Sequence, residues 1–120
     1  MIDSVVAHLK ADSTLSGLIA GRVSPMVRTS KGDAVTYHQI DDTDPTTLDL
    51  VKDVQTLEYQ FEVFAKKHYV MVSIQKALKA ALQYYKNDDF QLSVVRNAIS
   101  NYEKGPKEFR CIMQVSFFVK

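Results

Sequence analysis

The chain has 120 residues, 46% hydrophobic and 24% charged, with a formal net charge of +1. That suits a single domain, 1–120, with a core of its own, and the charge gives no reason to expect a polyanion as the main partner, so neither direct nucleic-acid recognition nor a membrane role is expected. One cysteine, Cys111, leaves no internal disulfide framework and suits a reducing compartment, and the start MIDSVVAHLK lacks the basic lead-in and apolar run of a secretory signal, so a soluble product made in the cytoplasm is expected.

Ile2, Val5, Val6 and Leu9 recur at spacings of three and four, which predicts a first helix with Asp3 as its cap. Asp12 opens a second, short helical turn carrying Leu15, Leu18 and Ile19, with Gly21 as its stop. GRVSPMV reads as a short strand that Pro25, lacking a donor, confines to a sheet edge. After the polar loop RTSKGDA, the stretch Ala34 to Ile40 is rich in strand formers, and DDTDPTTLDL follows as a polar connection. Leu57, Tyr59, Phe61, Val63 and Ala65 then alternate with polar residues, which predicts a strand with one apolar row. From Tyr69 to Tyr85 the period changes to three and four, with Val70, Ile74, Ala77, Leu78, Ala81 and Tyr85 on one face and Lys76, Lys79, Gln83 and Lys86 on the other.

FQLSVVRNAISNYE admits two readings. Phe90, Leu92 and Val94 alternate as in a strand, whereas Leu92, Val95, Ile99 and Tyr102 have helical spacing with Asp88 or Asp89 as cap. KGPK is a turn signal, and Phe109, Cys111, Met113, Val115, Phe117 and Val119 form the apolar row of a last strand. The pattern predicts an α+β fold: a mostly antiparallel sheet with one long helix packed on one face and a short N-terminal helical segment.

Little in the chain carries chemistry. His8, His38 and His68 have no ligand partner at metal spacing. Cys111 sits in an apolar row, as a buried thiol would. Asp42, Asp44 and Asp53 loosely follow a calcium loop, but Thr47 stands where that loop needs glycine and Asp53 where it needs a bidentate Glu. Glu58 and Glu62 share one face of their strand and could act as an acid–base pair, yet the pleat turns them away from the apolar row, onto what reads as an exposed sheet face. There is no phosphate-binding glycine loop and no nucleophile elbow. The expectation is a protein that is not an enzyme and holds no cofactor.

The order and texture of these pieces resemble the small tail-terminator, or tail-completion, proteins of long-tailed phages and prophages. STLSGLIAGRVSP is similar to that family's short helix and first strand, VTYHQI to its second strand, and FRCIMQVSFFV to its last. The most specific part is YQFEVFAKKHYVMVSIQKALKAAL, where a strand feeds through Ala-Lys into a long helix; here KKHY stands where the family has a polar cap. The resemblance implies that residues 90–102 are a strand paired with 109–119. It also implies a virion protein at the head–tail junction. Its partners would be further copies in a ring, typically a hexamer, together with the tail tube protein and the head connector or neck protein.

On that reading the candidate contacts with those partners are Asp41, Asp42, Asp44, Lys52 and Asp53 of one loop, Glu58, Gln60 and Glu62 of the alternating strand, and Lys104 and Lys107 of the turn. Alternatives are another neck or minor tail component, a small non-viral ligand-binding or regulatory module, and last a small enzyme. A module would show an apolar pocket with converging polar groups.

Overall fold

Three helices and five strands make up the described residues of the computed structural model, which are 2–19, 21–26, 32–43, 56–105 and 107–119, with the backbone alone at 41–43. In chain order these are α1 (Ile2–Ala11), α2 (Ser13–Ile19), β1 (Val23–Pro25), β2 (Ala34–Thr43), β3 (Thr56–Ala65), α3 (His68–Leu82), β4 (Phe90–Glu103) and β5 (Glu108–Val119). The sheet order is β1-β2-β3-β5-β4, parallel between β1 and β2 and antiparallel elsewhere. This is the α+β architecture expected from the periodicity.

Alternation decides which face is buried. Pairing Phe61 with Met113 and Tyr59 with Val115 brings the odd rows of β3 and β5 side by side, and Phe61, Val63, Cys111, Met113, Val115 and Phe117 are all fully buried. Helix α3 lies on those rows through Met71, Ile74, Leu78, Ala81 and Leu82. Val5 and Leu9 of α1 and Leu15 and Ile19 of α2 complete the same core. Phe117 is its aromatic centre, with ring centroids of Tyr59, Phe90 and Phe61 at 5.8, 5.1 and 6.3 Å. Each such side chain contributes about 1.5–3 kcal/mol through burial, so the helices belong to one side of the sheet.

Several local signals act as the sequence suggests. Asp12 Oδ1 accepts from the Leu15 amide at 3.0 Å and caps α2. Gly21 follows that helix at φ 73, a left-handed conformation that suits glycine. Pro25 ends β1, which is an edge strand.

Other expectations are corrected. Asp3 is not a cap, because α1 starts one residue earlier and Asp3 lies in its first turn, where a carboxylate still meets the positive end of the dipole. β2 does not stop at Ile40: it continues through Asp41, Asp42 and Thr43 after an irregularity between Gln39 and Asp41, so a polar run serves as strand because β3 supplies its ladder. Helix α3 ends at Leu82, not Tyr85. Tyr84 takes φ 58, the chain reverses, and Tyr85 leaves the helical stripe to stack on His8 at 4.0 Å. Residues 90–103 are a strand, as the resemblance implies and as periodicity alone does not decide. Its partner β5 is what selects alternation over helical spacing.

Candidate functional site

The helices cover one face of the sheet, and the other face carries the even-numbered side chains of β3. Glu62 pairs in register with Thr36 on β2 and Ile112 on β5. Its carboxylate accepts from Gln60 Nε2 at 3.0 Å, from Thr36 Oγ1 at 3.5 Å and from Arg110 Nη2. The same guanidinium donates through Nη1 to Glu103 Oε1 at 3.4 Å and sits 5.8 Å above the Phe64 ring. The hydrogen bond to Glu62 pushes Arg110 above the usual arginine range, and partial burial works against it. Arg110 Nε is buried with no acceptor among the described residues.

A second group lies further along the face. Ser116 Oγ, fully buried, donates to Glu58 at 2.7 Å and accepts from Arg96 Nε at 2.9 Å, while the Arg96 guanidinium lies 5.9 Å over Phe118. Asn97 Nδ2 donates to Gln114 Oε1 at 3.4 Å. These are cross-strand pairs of the kind that fix register.

The expected contact residues therefore divide. Glu58, Gln60 and Glu62 do share the helix-free face, but the expectation that Glu62 is exposed is corrected. It is 8% exposed, because Arg110 and its neighbours close over it. Glu58 and Gln60 are half-buried. Lys104 and Lys107 are exposed at the β4–β5 turn, Lys107 at φ 55. Asp41 and Asp42 are described by backbone alone, and Asp44, Lys52 and Asp53 lie outside the described residues, as does most of the calcium-like pattern. Sequence reasoning missed Arg110 and Arg96. Alternation put Arg110 on the polar side of its strand, but only the register of β5 with β3 sets it against Glu62.

His8, His68 and Cys111 make their contacts on the helix side of the sheet. His8 Nε2 bonds the Ala81 carbonyl at 3.1 Å and joins α1 to α3. His68 meets Phe109 edge-on at 5.3 Å. Cys111 faces the helices, and burial pushes its thiol up. A cleft of about 170 Å³ lies between the first turn of α3 and the far end of the hairpin, lined by His68, Met71, Ser100, Asn101, Tyr102 and Phe109. It is smaller than sites that enclose a drug-sized ligand, at roughly 300–1,000 Å³.

The outer edge of the sheet is the other exposed feature. In β4 every residue from 96 to 102 is exposed, with Ile99 at 65% and Tyr102 at 47%. Nothing in the described chain lies beyond this strand in the sheet order.

No protein-family model matches the sequence, and no curated protein matches it. The fold is similar to that of a chain in the solved structure "Virion of native gene transfer agent (GTA) particle", with a TM-score of 0.77, 16% identity, and coverage of 96% of this chain and 90% of that chain. At that identity the likeness is one of fold.

Proposed function

We propose that the chain is a structural protein of a phage-like virion and, more specifically, a tail terminator. It caps the growing tail tube, ends tail polymerisation and forms the surface to which the head connector joins. The observation that carries this reading is the likeness, over nearly the whole length of both chains, to a component of a gene transfer agent virion. The finer role follows from the resemblance of YQFEVFAKKHYVMVSIQKALKAAL and its flanking strands to the tail-terminator family. The protein acts through shape rather than catalysis. Its sheet is stiffened on one face by three helices and on the other by the Glu62–Arg110–Glu103 and Glu58–Ser116–Arg96 groups. Such a body suits a ring subunit, in which one patch meets a different patch of the next copy.

Deletion of the gene from its phage or prophage tests this. The expected result is over-long tails or tails that fail to join heads, restored by the gene supplied in trans. Tails of normal length that still join heads remove the terminator role, and absence of the protein from purified particles removes the virion reading altogether. Labelled protein found elsewhere on the particle would assign it to another neck or minor tail position.

A further inference from the structure

We infer that the outer half of β4, Asn97 to Glu103, pairs antiparallel with the same segment of a second copy, about a two-fold axis through Ile99. The proposal stands apart from the ring above, because a two-fold contact joins one patch to itself and a ring contact joins two different patches.

The first observation is a change of state along one strand edge. At its inner half, the outward-pointing groups of β4 are already taken. Ser93 O accepts from the Tyr84 amide at 2.8 Å, and Val95 N donates to Gln83 Oε1 at 2.7 Å. The irregularity between Val95 and Asn97 then shifts the parity by one, so the outward-pointing backbone groups beyond it belong to Ala98, Ser100 and Tyr102. No described element lies against them. A bare edge is a template for another strand. Native edges are blunted with Lys, Pro or inward charges, yet 97–102 reads NAISNY and contains none of these.

The second observation selects the occupant. Within β4 itself the charges flanking this bare stretch are Arg96 at one end and Glu103 at the other, with Lys104 following in the turn. Arg96 and Glu103 both lie on the helix-free face, Arg96 at Ser116 and Glu103 at Arg110. In antiparallel self-pairing about Ile99, Arg96 of each copy stands opposite Tyr102 of the other, and Glu103 follows one residue further, so the two opposite charges lie diagonally on the same face at both ends of the contact. Parallel pairing would set like against like. The opposite edge of the sheet is a poor partner, since β1 has three residues and ends on a proline without a donor. With Ile99 on the axis, the two most exposed apolar side chains of the contact cover each other, and Ala98 of each copy forms the hydrogen-bonded pair with Ser100 of the other. The Ile99 pair is then of the non-hydrogen-bonded type, with Cα atoms about 4.5 Å apart, a spacing within reach of a disulfide.

Sedimentation of the purified full-length chain over a range of concentrations, together with three variants, tests this. The wild type is expected to sediment as a dimer at high concentration. Ile99→Cys, whose only companion thiol is the buried Cys111, should cross-link to a dimer on mild oxidation and revert on reduction. Ser100→Pro removes one outward donor without touching the ladder to β5, and should be monomeric, with the melting temperature that the wild type shows at dilutions where it too is monomeric. Ala98→Lys charges the edge, keeps every backbone donor and should also be monomeric, so it decides the point if the proline variant fails to fold. A wild type that stays monomeric, an Ile99→Cys variant that does not cross-link, or a dimer that survives in a folded Ala98→Lys variant would each overturn the proposal. None of these outcomes bears on whether tails lengthen when the gene is deleted.

Discussion

Arg110 of β5 and Glu62 of β3 meet across the helix-free face of the sheet, with the guanidinium Nη2 donating to the carboxylate Oε1. Their side chains are 29% and 11% exposed. Removing one partner therefore strands the other in a largely dry site, whereas removing both takes the two charges away together and costs Thr36, Gln60 and Glu103 one hydrogen bond each. Arg110→Ala is expected to lower stability by about 2 kcal/mol, below the value for a fully buried pair because water reaches the guanidinium. Arg110→Met combined with Glu62→Leu should recover most of that loss. Urea melts of the two single variants and the double variant check this, and losses that simply add would show that the pair is not coupled.

The two apolar rows under α3 should be far less forgiving. Phe61 and Val115 are both fully buried, and each lies on a central strand in the middle of the core cluster. Phe61→Asp and Val115→Asp place an unpaired carboxylate there, at an expected cost above about 4 kcal/mol each, enough to abolish cooperative melting in a domain of ordinary stability. Thermal melts by circular dichroism read this directly. A near-normal midpoint would mean that the rows do not face a core.

These rows are the part of the fold that is legible in the sequence, because a period of two over Leu57–Ala65 and Phe109–Val119 has one structural solution. The switch to a period near 3.6 marks α3 for the same reason, although its end at Leu82 involves the distant Ser93 as well as the left-handed Tyr84, which no glycine or proline announces in the sequence. Residues 90–103 are not legible by period, since Leu92, Val95, Ile99 and Tyr102 suit a helix as well as alternation suits a strand. The ladder to β5 decides it, and a ladder is a non-local fact. The helix-free face is half legible. Alternation groups Glu58, Gln60 and Glu62, but their partners Arg110, Thr36 and Ser116 lie 48, 26 and 58 residues away in the chain. Only register brings those together.

Cys111 should be inert in the folded protein. It is fully buried among Val63, Met113 and the residues of α3, and burial pushes its thiol up. The thiolate is the reactive form, so alkylation of native protein should be slower than in urea by orders of magnitude. The linkage has a definite sign. Above the ordinary thiol range the unfolded chain loses its proton first and the native chain keeps it. The unfolded state then binds fewer protons, and stability falls as pH rises through that window. Cys111→Ala should flatten the alkaline limb of a stability–pH profile, even though its overall stability is lower. Rapid labelling of the native thiol at neutral pH would place Cys111 outside the core.

The end of α3 depends on one buried hydroxyl and one left-handed residue. Ser93 Oγ, fully buried on β4, donates to the Leu82 carbonyl, and Ser93 O accepts from the Tyr84 amide at 2.8 Å. One serine thus supplies a donor to the helix end and an acceptor to the residue that reverses the chain. Ser93→Ala removes the donor and leaves a helix-terminal carbonyl without it, at an expected cost of about 1–2 kcal/mol. Tyr84 is 67% exposed and sits at φ 58, a conformation that costs an ordinary residue roughly 1–2 kcal/mol. Tyr84→Gly relieves that strain but gives back chain entropy of nearly the same size, so its urea midpoint should stay close to the wild-type value. Tyr84→Val, β-branched and still less suited to positive φ, should lower stability by about 1–2 kcal/mol although it touches no core contact. If valine proved as well tolerated as glycine, the reversal at Tyr84 would not be the constraint that ends α3.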